Sequence, residues 1–280
     1  IFCDGTDVNL KIIDSKTGSL VSNVNTINSP FEFGSSTINP TFNTYNNRSF
    51  SEEIDVKAVG SDKFIAVWRG DDPGYLGGNE VIYGRLFSET GTPLSDSFIV
   101  SEHWQDSPLN PNIINSESGE GFSVAYITRY PKELYIDHYS VSASGVVTFD
   151  GSDSGLVPSG IGELYGLNIT EFDGSQLLAS AVSSDNSGHY NDVLTWRIVG
   201  NNGTLSASNL KWLTGTYDTS PDHPYENRAT ESIMLPNGDA VVTYWGYTAD
   251  PITNSTNSSV SMNLNAQVVR TDGTISEPLV

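Results

Sequence analysis

The sequence predicts an all-β fold, and three observations over its 280 residues predict it. Four stretches show an alternating run, a tight turn and a second apolar run ending near an aromatic. Five stretches show a strand, a short polar turn ending in Gly, and a further strand. The turn glycines Gly18, Gly91, Gly145, Gly203 and Gly273 recur about every 55 residues once two polar inserts are removed. Four short antiparallel strands repeated at such a period are the signature of a β-propeller blade.

Taken in order, residues 1–28 read as a partial blade. There "IFCDGTDVNLKIID" is the tail of a second strand, a turn and a third strand, with Gly18 closing the next turn. A polar insert occupies 29–50. The blade 51–102 holds the hairpin "EIDVKAVGSDKFIAVW" and then "VIYGRLFSETGTPL". The blade 103–157 holds "NIINSESGEGFSVAY" and "LYIDHYSVSASGVV", and the blade 158–216 holds "LNITEFDGSQLLASAV" and "DVLTWRIVGNNGTL". The blade 217–280 holds "ATESIMLPNGDAVVTYW", the insert "GYTADPITNSTNSSVS" and "LNAQVVRTDGTI". Asp173-Gly174 and Asn237-Gly238 tolerate positive φ at both central positions, so type I′ hairpin turns are expected there.

One four-stranded sheet cannot bury both faces alone, so such modules pack against near-copies around an axis. Two stacked β-sandwiches would match the strand density but would not require the same turn chemistry in each unit. Four complete blades plus a partial one are expected. The chain starts inside a blade, stops inside a fourth strand and begins without a methionine, so it is expected to be an excerpt or mature piece of a longer polypeptide.

Thirty-four acidic residues against 13 basic ones give a net charge of −21. That field repels phosphate backbones and anionic lipid, so no nucleic acid partner is expected. No apolar run approaches the roughly 18 residues that span a bilayer, and no membrane insertion is expected. The single cysteine, Cys3, rules out an internal disulfide framework and a Cys-based zinc cluster. Scarce Lys with abundant Ser, Thr, Asn, Gly and Tyr points to an extracellular or cell-surface location.

The order Phe64-Ile65-Ala66-Val67-Trp68, a Gly/Asp-rich loop, Ile82-Tyr83-Gly84-Arg85-Leu86-Phe87, Thr90-Gly91 and Ser97-Phe98-Ile99-Val100 resembles a known repeat. It is similar to the "FVVVW … GIYGQRF … G … FxVN" repeat of large secreted and cell-surface proteins: RTX-type adhesins, hemolysin-like exoproteins and protist surface proteins. The match covers 53–102 clearly and 112–149 and 229–280 in part; over 158–216 only the hydrophobic pattern is kept. The resemblance implies a propeller-like repeat in an extracellular, often adhesive, protein, and it brings no catalytic residues.

In a propeller the loops joining second to third strands open on the same face as those joining blades. That face would hold Asp71, Asp72, Tyr75, His103, Trp104, Asp106, Arg129, Tyr130, Asp185, His189, Tyr190, Asp222, His223, Tyr225 and Glu226. Aromatics beside carboxylates suit a sugar, through ring stacking and paired hydrogen bonds to hydroxyls. His103, His189 and His223 come from different blades and lack metal-site spacing, while His138 sits in mid-strand. Calcium needs several oxygen ligands in a tight loop, and "DGSDSG" (150–155) and "RGDDPGYLGGN" (69–79) offer some, without EF-hand spacing. No other cofactor is expected. Arg69-Gly70-Asp71 reads as a corner between strands rather than an adhesion signal. Sequons at Asn47, Asn168, Asn202, Asn254 and Asn257 are candidate glycan acceptors.

The expected role is therefore a non-catalytic structural or adhesive repeat domain, whose partners are other domains of a longer parent chain or a surface assembly. A lectin-like, carbohydrate-binding propeller is the alternative. A glycoside-active enzyme is the third reading, which would need two carboxylates flanking the scissile bond.

Overall fold

A computed structural model describes residues 2–4, 7–13, 16–17, 19–24, 54–71, 80–101, 108–115, 120–128, 132–156, 164–172, 176–184, 190–201, 204–212, 230–248 and 261–277. Among these residues it forms eighteen β-strands and no helix. The chain divides into two compact units, Ile1–Ser154 and Gly155–Val280.

The first unit opens with a three-stranded sheet in the order β1 (Phe2–Asp4), β2 (Asp7–Ile13) and β3 (Leu20–Val24). A four-stranded sheet follows: β4 (Ile54–Val59), β5 (Lys63–Asp71), β6 (Glu80–Ser88) and the short β7 (Phe98–Ile99). Next, β8 (Leu109–Asn115), β9 (Gly121–Ile127), β10 (Glu133–Val141) and β11 (Val147–Leu156) lie side by side in chain order. In the second unit β12 (Leu164–Phe172), β13 (Gln176–Ser184), β14 (Tyr190–Asn201) and β15 (Thr204–Trp212) do the same. A three-stranded sheet of β16 (Thr230–Met234), β17 (Ala240–Thr248) and β18 (Ser261–Val269) completes it. The pairings are antiparallel between consecutive strands, as alternating runs joined by short turns dictate.

The runs rich in Val, Ile, Phe, Tyr and Trp form central strands buried on both faces. In β5, Ile65, Ala66, Val67 and Trp68 are all fully buried. One face, with Ile65 and Val67, shares a cluster with Ile113, Phe122, Val124 and Tyr126 of β8 and β9. The other carries the ring stacks Phe64–Phe87 and Trp68–Tyr83. In the second unit Phe172, Leu178 and Val182 pack against Ala240, Val242, Tyr244 and Val269. Each such side chain contributes about 1.5–3 kcal/mol by leaving water.

The turns after the third strands of three sheets share one geometry. Gly91, Gly145 and Gly273 lie at φ 85°, 84° and 84°, and their amides donate to Ser88, Ser142 and Arg270. The residue that opens each turn donates in return to Thr92, Val146 and Thr274. The same loop joins β16 to β17, which corrects the expected type I′ turn. Gly238 has φ 87° while Asn237 is not in the left-handed region. The Asn237 side chain accepts the Asp239 amide at 3.2 Å, an Asx turn that holds Asn237 right-handed and leaves only Gly238 to reverse the chain. Asp173-Gly174 lies outside the described residues.

Two further sequence expectations change. Arg69, Gly70 and Asp71 are not a corner: they end β5, laddered to Ile82, Val81 and Glu80. Gly70 is closely packed, since a Cβ there would meet the Tyr83 ring at 3.1 Å. Segment 150–155 is not a loop either but the body of β11, because β10 offers it a pairing edge and two polar side chains.

Candidate functional site

Of the expected loop-face residues, Asp72, Tyr75, His103, Trp104, Asp106, Arg129, Tyr130, Asp185, His189, Asp222, His223, Tyr225 and Glu226 lie outside the described residues. So do the sequons Asn47, Asn202, Asn254 and Asn257. The ladders on either side of three of these segments are described. The β5–β6 ladder ends at Asp71 and Glu80, and the β13–β14 ladder ends at Ser184 and Tyr190. The β17–β18 ladder ends at Thr248 and Ser261. Asp71 and Tyr190 are thus the strand residues next to segments 72–79 and 185–189.

The described residues assemble a different polar set, on β4, β8, β12 and β16. Asp55, Asn112, Asn168 and Glu231 pair with Val67, Ala125, Ser180 and Thr243, the fourth residues of "FIAV", "FSVA", "LLAS" and "AVVT". They therefore occupy one position of the repeat. The Asp55 carboxylate accepts the Ile113 amide at 2.7 Å and the Val56 amide at 2.7 Å. Two residues on, the Lys57 ammonium donates to the Ile113 carbonyl at 2.7 Å. Both backbone groups of Ile113 that face away from β9 are therefore met by side chains of β4, which caps an open strand edge.

Asn168 repeats the device in the second unit. Its Oδ1 accepts the Ser232 amide at 3.0 Å and the Ser232 hydroxyl, and its Nδ2 donates to Glu231 at 3.2 Å. Ile113 and Ser232 each follow the repeat position of the neighbouring sheet. Bulges precede that position in two sheets, with Asn110 at φ 52° and Gly166 at φ 57°. The Asn112 amide reaches back to the Asn110 carbonyl at 2.9 Å. Burial raises the Asp55 pKa above 3.8, while the Ile113 amide, Lys57 and the Val56 amide pull it back down.

A second polar position lies on the third strands. The Tyr126 hydroxyl donates to Asp137 at 3.0 Å and the Tyr244 hydroxyl donates to Gln267 at 2.9 Å, all four residues being buried. Burial first, and the Asp137 charge second, push the Tyr126 phenol far above its ordinary value. Gln267 also donates to the Ser276 carbonyl at 3.1 Å, and Arg85, its register equivalent, donates to the Ser95 carbonyl at 3.2 Å.

One row joins three strands: Ser123 Oγ lies 2.8 Å from His138 Nδ1, and His138 Nε2 lies 3.3 Å from Asp153. Ser140 donates to Asp150 at 3.1 Å on the same side of β10. Gly151, at φ 145°, breaks the strand alternation so that Asp150 and Asp153 both reach that side. A serine nucleophile needs, besides a base, donors placed for an oxyanion. Ser123 sits in mid-strand between β8 and β10, whose ladders use the backbone around it. The row is a cross-strand polar ladder. Among the described residues no three of His, Cys, Asp and Glu converge as metal ligands.

Sequence reasoning missed the shared position of Asp55, Asn112, Asn168 and Glu231. The signal was present, since each interrupts its first-strand run 12 or 13 residues before its partner in the second.

No family model matches the chain, and no curated protein matches it. Among solved structures it is similar to an N-acetylgalactosamine deacetylase from F. plautii in complex with blood group B trisaccharide. That similarity has a TM-score of 0.41 and 11% identity, over 77% of this chain and 70% of that one. It is also similar to the Bombyx mori GH32 β-fructofuranosidase, with a TM-score of 0.41 and 12% identity over 78% of this chain. The match spans 49% of that enzyme.

Proposed function

We infer that the chain is a non-catalytic repeat domain of an extracellular or surface-displayed protein, built from propeller-type blades, with a structural or adhesive role. The observation that supports this reading is the side-chain latch from Asp55 to Ile113 and from Asn168 to Ser232. The same repeat position ties one sheet's first strand to the next sheet's first strand in both units. Polar groups of the first strands are thereby spent on holding neighbouring sheets together. Within one sheet, the buried Asp137 carboxylate is likewise taken up, by the Tyr126 hydroxyl.

The test is a glycan array and a panel of chromogenic glycosides, run beside adhesion of protein-coated beads to cell and matrix surfaces. Bead adhesion indifferent to Trp104→Ala and Tyr225→Ala, without glycoside turnover, is the expected result. Specific glycan binding lost in either variant would replace this reading with the lectin-like one. Turnover lost on changing one carboxylate would replace it with a glycoside-active enzyme.

A further inference from the structure

The loop that joins β16 to β17 exposes an asparagine followed by a glycine, Asn237-Gly238. Asparagine is among the chemically labile residues, and this pair carries a latent reaction with its own backbone. The glycine nitrogen attacks the asparagine Cγ and gives up its proton. The side-chain NH2 leaves with that proton as ammonia, and a five-membered succinimide closes. Water then opens the ring at either carbonyl, giving aspartate or isoaspartate. Glycine eases the attack because no Cβ shields its nitrogen. The chain has a second such pair, Asn202-Gly203, which lies outside the described residues.

In the folded loop the reacting groups are held in other contacts. The Gly238 amide donates to the Leu235 carbonyl at 2.9 Å. Asn237 Oδ1 accepts the Asp239 amide at 3.2 Å, and Asn237 Nδ2 donates to Asp239 Oδ2 at 2.9 Å. Asp239 Oδ1 accepts the Thr271 amide at 3.0 Å, which ties this loop to the one after β18. That second loop has the same backbone pattern, with Asp272 standing where Asn237 stands. Asp272 accepts the Thr274 amide at 2.8 Å and the Thr274 hydroxyl at 2.7 Å. A carboxylate therefore fits the position when a hydroxyl donor follows two residues on. After Asn237 that residue is Asp239, itself an acid.

We propose that Asn237 is a site of spontaneous succinimide formation, that Asp239 holds the reaction in check, and that the product loosens the loop. The contacts to Asp239 and Leu235 must break before nitrogen and Cγ can meet, so conversion waits on local opening. Once aspartate has formed, an acceptor replaces the donor that now lies 2.9 Å from Asp239 Oδ2, and two like charges face each other.

The test is peptide mapping by mass spectrometry of the full chain, aged at neutral pH and moderate warmth. Asn237 should convert about tenfold or more slowly in folded protein than in protein unfolded by guanidinium, since only the opened loop reacts. Asp239→Ala should speed conversion in folded protein about fivefold, the worth of one net hydrogen bond. Asn202-Gly203, followed in the same samples, should keep its parent rate. Equal rates in folded and unfolded chain overturn the proposal, as does an Asp239→Ala rate no faster than the parent's. Equal acceleration at both pairs also overturns it, because that reports general unfolding rather than a lost guard. Should the variant fail to fold, the comparison of folded with unfolded parent decides alone. Asn237→Asp, which carries the product's charge, should lower the urea midpoint, by an amount that shrinks in salt. A variant as stable as the parent at low salt overturns the loosening.

Discussion

The Asp55 carboxylate and the Ile113 amide are 58 residues apart in the chain and 2.7 Å apart in space. Lys57 closes the other end of the same residue at its carbonyl. A strand edge facing another sheet keeps N–H and C=O groups that water no longer serves, and each costs free energy if unmet. Asp55→Ala removes the acceptor but leaves the Ile113 amide in place. The expected loss is about 1–3 kcal/mol, read as a lower urea midpoint with an unchanged slope. A loss no larger than that of an exposed control such as Glu89→Ala would show that the latch does not hold the sheets.

Asp55→Asn separates the hydrogen bond from the charge. The amide oxygen still accepts from Ile113, and the repeat itself uses Asn at this position in Asn112 and Asn168. Burial, the largest influence, raises the folded pKa of Asp55 above 3.8, so the native state binds this proton more tightly than the unfolded chain does. Stability from this group is therefore fully present below 3.8 and is lost as pH rises through the folded value. The variant lacks that dependence. Its stability relative to the parent should rise between strongly acidic and neutral pH, seen in urea midpoints taken across that range. A relative stability that falls as pH rises would reverse the assignment.

Asn168 is a sequon whose amide is already committed. Its Nδ2 donates to Glu231 and its Oδ1 accepts from Ser232. A glycan on Nδ2 would stand between β12 and β16. After expression through a eukaryotic secretory pathway, peptide mapping should find Asn168 unmodified. Asn168→Ala should cost about 1–2 kcal/mol, because the Ser232 amide loses its partner. A fully occupied Asn168 in folded protein would remove this latch from the account.

Part of this architecture is legible before any coordinates. Alternation predicts the strands, and Gly91, Gly145 and Gly273 mark turns whose geometry proves common to three sheets. The break in each first-strand run at Asp55, Asn112, Asn168 and Glu231 is visible too. Its use is not, because Asp55 binds a residue that only tertiary packing brings near. Segment 150–155 misleads for a related reason: Gly, Ser and Asp favour a turn locally, but pairing with β10 overrides that preference. Arg69-Gly70-Asp71 misleads likewise, since these residues continue the β5–β6 ladder, with Gly70 close against the Tyr83 ring, rather than forming a bend. The loop-face residues could be named from loop position alone, whereas their mutual placement depends on long polar segments that carry no alternating pattern.

Two glycines differ in what a methyl group would meet. At Gly121 the added Cβ would fall on the Tyr139 carbonyl oxygen, which is held in the β9–β10 ladder. At Gly84 it would meet the Phe98 ring at 2.8 Å, the side chain of a two-residue strand that can swing aside. Gly121→Ala should therefore cost about 3 kcal/mol or more and Gly84→Ala about 1–3, by the cost of overpacking a filled interior. Thermal unfolding of both ranks them; the reverse order would show that β7 is the more firmly held element.

The Tyr126 and Tyr244 hydroxyls make the same reach, two residues along the third strand, to partners of different charge. Tyr126 donates to a buried carboxylate and Tyr244 to a neutral amide. Removing a donor from a charged acceptor costs more than removing it from a neutral one, about 1.5–3 against about 1 kcal/mol. Tyr126→Phe should therefore destabilise more than Tyr244→Phe, although both rings stay buried and lose only an oxygen. Asp137→Asn keeps an acceptor for Tyr126 and relieves a buried charge, so it should restore most of what Tyr126→Phe loses when the two are combined. Urea unfolding of the two singles and the double gives the coupling directly. A coupling near zero would mean that Asp137 is held by its other contacts and that the tyrosine merely fills space.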